Sequence, residues 1–227
     1  MIIAINVKCL TKEEPGDCDN FFQECFSRIT KSNKQNTFIF IFEKFYDPSL
    51  IFSENIIPIV SPSANTLAGQ YIWYNIKIPR LLKKYKADVF VTAEYCLLAT
   101  KVPQCFILSD ISFLRFPLFF NKKMLFFFKR FIPPFVIKAK KIIVHSQYAK
   151  AEIIQQYKTS ADKLEVAYTG VHKNYHPVSL EERESIKEKY ADGNEYFIYP
   201  GEVNPSKNLL NLLRAFSAFK KRQKSSM

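Results

Sequence analysis

The sequence predicts an α/β protein built on a doubly wound, mostly parallel sheet, and three observations carry that expectation. Seven short apolar runs recur between residues 2 and 168, most of them continuous rather than alternating in polarity, as strands covered on both faces require. Helical patterns, with apolar residues three and four apart, lie between them. The chain has 227 residues, 48% of them hydrophobic and 24% charged, which suits one well-cored domain plus a remnant. Such strand-helix alternation makes a Rossmann-like sheet.

Taken in order, the expected strands are 2–7, 37–43, 56–60, 87–93, 104–109, 141–145 and 164–168. Phe22, Cys25, Phe26 and Ile29 mark a helix between the first two. Leu67, Tyr71, Tyr74, Ile78, Leu81 and Tyr85 mark another, which Pro79 either kinks or restarts at a first helical position. Further helices are expected at 121–132, 147–157 and 179–190. The stretch from 171 to 195 is polar and holds no core strand. The domains read as 1–175, a linker with an exposed helix at 176–195, and at 196–227 the opening βα unit of a second α/β domain. In that unit a strand, YFIYP, precedes a helix with Leu209, Leu212, Leu213, Phe216 and Phe219 on one face.

Composition excludes several function classes. The five cysteines, Cys9, Cys18, Cys25, Cys96 and Cys105, include no C-x-x-C pair, so neither a disulfide framework nor a thiolate zinc site is indicated, and a reducing, cytoplasmic setting fits. The N-terminal apolar run is too short for a signal sequence, and nothing is long and apolar enough to span a bilayer. With only Gly16, Gly69, Gly170, Gly193 and Gly201, neither G-x-G-x-x-G nor a P-loop can be written. The net charge is +12, and between Ile111 and Ala151 there are nine basic residues and no acidic one, so that segment faces something anionic.

Candidate chemistry gathers where open parallel sheets bind ligands, beyond the carboxyl ends of strands. Gly16, in the loop after the first strand, lets backbone approach a ligand, though beside Pro15 it also reads as an ordinary turn. Asp110 ends QCFILSD and Glu94 follows ADVFVTA; each carboxylate suits a sugar hydroxyl, and Asp110 equally suits a cap. Ser146 reads as the N-cap of the following helix, with anion binding as a secondary role. His172 and His176, four apart, lack a third ligand, so no metal is assigned. Projected on a helix, residues 121–132 place Met124, Leu125, Phe128, Phe131 and Ile132 on a core side, and Lys122, Lys123, Lys129 and Arg130 around Phe126 on the other. An aromatic ringed by cations suits docking on an anionic membrane surface; the alternative is that another part of the fold covers Phe126. Nucleic acid is the rival explanation of the charge, but no recognised nucleic-acid-binding motif is present and the aromatics fall mostly at core spacing.

Three stretches carry a family likeness. KAKKIIVHSQYAKAEIIQQYKTSADKLEVAYTGVHKNYHP (138–177), YFIYPGEVNPSKNLLNLLRAF (196–216) and ILSDISFLRFP (107–117) resemble segments of the family 4 (group 1) glycosyltransferases of GT-B architecture. The likeness covers most of the chain and is strongest from 104 to 216. It implies a retaining hexosyltransferase moving a sugar from a nucleotide-sugar donor to an acceptor of cell-surface polysaccharide or glycolipid type, without dinucleotide or obligatory metal. It implies that the N-terminal lobe binds the acceptor, through Gly16 and Glu94, with Asp110 catalytic. Gly201 and Lys207 match the positions that contact the donor diphosphate, where an ammonium by a helix N-terminus offsets charge on the leaving group. Several family members dock on membranes through a basic, aromatic surface of this lobe, which implies a peripheral place at the inner membrane face. Ser109 stands where the family usually has histidine and Ser206 where it has arginine, while Glu202 adds a negative charge near the expected diphosphate. The family's E-x7-E donor element falls beyond residue 227, so the expected enzyme is an acceptor lobe with a truncated donor lobe and impaired turnover. The alternative expectations are a non-enzymatic membrane-surface module and, third, a nucleic-acid binder.

Overall fold

The structure is a computed structural model and describes residues 1–11, 17–63, 66–93, 95–109, 111–171, 175–201, 203 and 205–223. Two compact units divide it: residues 1–115 with 120–170, and residues 116–119 with 171–227.

The first unit holds seven strands: β1 (Ile2–Asn6), β2 (Thr37–Phe42), β3 (Ile56–Val60), β4 (Val89–Thr92), β5 (Gln104–Ile107), β6 (Lys141–Val144) and β7 (Leu164–Val166). Their order is β3-β2-β1-β4-β5-β6-β7, and every pairing is parallel. All seven fall on the expected apolar runs. The doubly wound fold is confirmed, and the order reverses between β1 and β4, where such sheets bind ligands. Pro58 sits in β3 opposite Phe40, tolerable because β3 is an edge with one neighbour.

Alternation along the strands assigns the faces. Phe38, Phe40, Phe42, Ile5, Val91 and Ile107 pack with Phe22 and Phe26 of α1 (Asp17–Ser32). Ala4, Ile39, Ile41, Phe90 and Phe106 pack on the opposite face with Trp73, Ile78, Phe135 and Ile153 from the helices that follow β3, β5 and β6. Both faces are therefore covered, which is why the strands read as unbroken apolar runs.

After β3 the helix is not uniform. Thr66 caps α2 (Leu67–Ile72), accepting from the Gly69 amide at 3.0 Å; a π-helical stretch (Trp73–Lys77) follows, and α3 (Ile78–Lys84) restarts with Pro79 in its first turn. Two consecutive aromatics of this stretch, Trp73 and Tyr74, are both buried. Asn121 caps α4 (Lys122–Lys138), which runs six residues past the expected end at 132, straight through Pro133 and Pro134. Those prolines withdraw amides that would have bonded carbonyls of Lys129 and Arg130, both exposed residues to which water has access. Burial of Ile132, Phe135 and Val136 holds the rest of the helix in place. Ser146 caps α5 (Gln147–Tyr157) as its position predicted, accepting from the Ala149 amide at 3.0 Å.

In the second unit Ser179 caps α6 (Leu180–Ala191), and α7 (Leu209–Gln223) follows. The expected strand at 196–200 does not form. A lone strand has no sheet to extend, and Phe197 packs instead against Phe216 and Phe219 of α7 at ring separations of 5.5 and 5.7 Å.

Candidate functional site

Asn6, Lys8, Glu43 and His145 stand at or just beyond the carboxyl ends of their strands in the first unit. Asn6 ends β1 and is 2% exposed; its Oδ1 accepts from the Lys8 amide at 3.1 Å, while its Nδ2 has no hydrogen-bond partner among the described residues. Asn6 pairs with Ile41 on β2, and two residues further on the same register brings Lys8 Nζ to 2.9 Å from Glu43 Oε2, with both side chains largely buried. Lys8 Nζ also lies about 6 Å from the ring centres of Trp73 and Tyr74, within reach of both π faces. Trp73 is held by its own Nε1, which donates to the Ser61 carbonyl at 2.6 Å, and Tyr74 by stacking on Tyr95 at 4.4 Å. The π-helical turn thus supplies an aromatic wall for a buried ion pair at the switch point.

Three strands along the same edge from β1, His145 follows β6. Its Nδ1 lies 3.1 Å from the Ala167 carbonyl oxygen, which can only accept; in the neutral ring Nδ1 therefore carries the proton. Nε2, 3.2 Å from Ser109 Oγ, then accepts from the serine hydroxyl. The Phe21 ring packs edge-on to the imidazole at 4.4 Å and keeps it in this pose. A histidine thus stands beside Ser109, contributed by the next strand of the sheet. The arrangement can pass a proton between a ligand hydroxyl and the imidazole, or hold such a hydroxyl in place.

Gly16, Glu94 and Asp110 lie outside the described residues. In the second unit Gly201 and Lys207 are both exposed. Gly201 adopts φ +149, and a Cβ there would come 3.1 Å from the Tyr199 hydroxyl, so any other residue would be strained. Lys207 ends a short 3-10 turn just before α7, after which Asn208 takes a left-handed φ of 55. Among the membrane-facing candidates on α4, Phe126 is 69% exposed and Lys122, Lys123, Lys129 and Arg130 are exposed with it. Met124, expected on the core side, is itself exposed. His176 Nδ1 lies 3.1 Å from the Pro177 carbonyl, while His172 lies outside the described residues.

The sequence model of Glycosyltransferase Family 4 matches residues 40–175, more than half of the chain. The chain belongs to Glycosyltransferase Family 4. Among solved structures, a glycosyltransferase from Rickettsia africae ESF-5 is similar to this family 4 chain at 18% identity and a TM-score of 0.50, over 86% of this chain and 50% of that one. Anabaena Alr3699/HepE matches in complex with UDP and in complex with UDP and glucose, at 17% and 16% identity and TM-scores of 0.48, over 86% of this chain and 51% and 52% of those. The Rickettsia likeness is one of fold; the family 4 chain spans about half the length of these structures. No curated protein matches it.

Sequence reading missed Asn6, Lys8, Glu43 and His145. The expected strands 2–7 and 37–43 took in Asn6 and Glu43 without a role, and Lys8 stood just beyond the first of them. Their signal was positional: Asn6 and Lys8 stand just where the strand ends. His145 carried no local signal, because its partners come from strands 36 and 22 residues away.

Proposed function

We propose that this family 4 chain is the acceptor-side lobe of a retaining transferase that moves a hexose from a nucleotide-sugar donor to an acceptor of cell-surface polysaccharide or glycolipid type. The observation that carries the reading is the family match over residues 40–175, on a sheet whose carboxyl edge at the switch point is lined with polar side chains. In this reading Gly16 and Glu94 hold the acceptor, Asp110 serves the reacting hydroxyl, and Gly201 with Lys207 receives the donor diphosphate, with no obligatory metal. Lys207 acts by charge alone: an ammonium at that oxygen cluster stabilises negative charge as the nucleotide leaves. The test is acceptor-dependent nucleotide release from a panel of nucleotide sugars, with the product's anomeric configuration read by NMR. Lys207→Ala and Asp110→Asn are each expected to lower turnover about 10²-fold or more. Transfer unaffected by both substitutions would overturn the assignment.

A second reading, compatible with the first, places the lobe peripherally on the inner membrane face. No helix among the described residues is long and apolar enough to cross a membrane. Phe126, exposed amid four cations on α4, supports contact with anionic headgroups.

A further inference from the structure

Resting on the transferase reading, we propose that Asn6, Lys8 and Glu43 form a subsite that reads two neighbouring hydroxyl groups of a neutral sugar acceptor, not a phosphate or carboxylate. Asn6 Nδ2 carries the inference. It is an amide donor on a residue 2% exposed, without an acceptor among the described residues, at the point of the sheet where strand order reverses. Buried donors of this kind are rare, and a ligand oxygen satisfies them at no further desolvation cost to the protein.

The chemical class follows from what surrounds that donor. Lys8 and Glu43 stand two residues beyond the Asn6–Ile41 pair, just past the ends of β1 and β2, so donor, ammonium and carboxylate gather beyond the carboxyl ends of two adjacent strands. Lys8 and Glu43 neutralise each other at 2.9 Å. An anionic ligand oxygen accepting from Asn6 would meet the Glu43 carboxylate without a surplus cation from this pair. A hydroxyl has no such conflict, because it accepts from Asn6 or Lys8 and donates to Glu43. Two adjacent hydroxyls use the donor and the carboxylate together. The Trp73 and Tyr74 rings behind Lys8 limit water there and give the pair its fixed pose.

The experiment uses the whole chain and saturation-transfer NMR, with methyl α-glucopyranoside, methyl α-mannopyranoside and methyl α-galactopyranoside as probes and inorganic phosphate as competitor. Asn6→Asp keeps the shape and replaces the donor with an acceptor; Glu43→Gln keeps the size and removes the charge, and provides the second variant if Asn6→Asp does not fold. At least one glycoside is expected to show saturation transfer that phosphate does not displace and that falls about tenfold or more in either variant. Absence of glycoside binding, displacement by phosphate, or equal binding by the folded variants overturns the proposal; the last would mean that the amide serves only water. Failure here is distinguishable from failure of the transferase reading. Sugar transfer at a rate indifferent to Asn6→Asp would sink the subsite alone, whereas Asn6-dependent glycoside binding without transfer from any donor would sink the transferase reading and leave the subsite standing.

Discussion

Gln104 is a polar side chain, 1% exposed, in the first position of β5. Its Oε1 accepts from the Leu97 amide and its Nε2 donates to the Leu97 carbonyl, each at 2.7 Å, so one side chain stands in for a strand neighbour and anchors the loop that leads back into β5. Gln104→Leu would leave both Leu97 groups buried and unpaired, and is expected to cost about 3 kcal/mol by urea denaturation. A loss below about 1 kcal/mol would mean that water reaches the loop. Asn55 acts similarly at the end of α1, with Nδ2 3.0 to 3.2 Å from the carbonyls of Thr30, Asn33 and Asn36. At Cys96 and Cys105 burial is the main force; it pushes the Cys105 thiol up to about 11, and both stay protonated near neutral pH.

Among the elements, α4 and α6 show opposite uses of charge. On α4, Lys122, Lys123, Lys129 and Arg130 surround exposed Phe126. Each cation near an anionic leaflet is worth roughly 1 kcal/mol, so Lys129→Glu is expected to weaken sedimentation with phosphatidylserine vesicles about 30-fold, since reversal both removes an attraction and adds a repulsion. Phe126→Ala should weaken it at least about tenfold through the ring's lost burial, and neutral vesicles should not bind. Binding indifferent to both changes would assign that face to the fold or to another protein. On α6 two cations share the Glu195 carboxylate: Lys187 Nζ lies 2.9 Å and Arg183 Nη2 2.7 Å from Glu195 Oε1, and Lys187 also lies 2.8 Å from Glu184 Oε1. Lys187 first, then Arg183, holds the Glu195 carboxyl below its ordinary value. A depressed carboxylate stabilises the fold above its unfolded pKa, about 4.3 for glutamate, and loses that contribution as pH falls through the folded value. The protection factors of amides at the end of α6, exchange rates divided into their intrinsic values at each pH, should therefore fall on acidification below about pH 4 and hold steady from pH 5 to 8, and Glu195→Gln should abolish that fall.

At the scale of the whole molecule, the first unit contains every strand among the described residues and both hydrophobic clusters, while α7 in the second buries no residue fully. A fragment of residues 1–170 is expected to keep a cooperative thermal transition and the far-UV spectrum of a parallel α/β sheet; a non-cooperative melt would show that the second unit completes the core. The sequence by itself determined the seven strands, their parallel winding and most helix ends, because a strand buried on both faces must be apolar throughout and a cap needs a serine, threonine or asparagine at one place. These are local requirements, written in adjacent residues. It also carried the family, through stretches such as 138–177. Only the tertiary structure decided that residues 196–200 form no strand, that α4 passes through Pro133 and Pro134, and that Trp73 and Tyr74 are both buried in a π-helical stretch. It alone brought His145 to Ser109 and Lys8 to Glu43, across 36 and 35 residues. Such partners meet only when strand order is known, since a side chain's local sequence sets which face it takes but not whose side chain stands opposite.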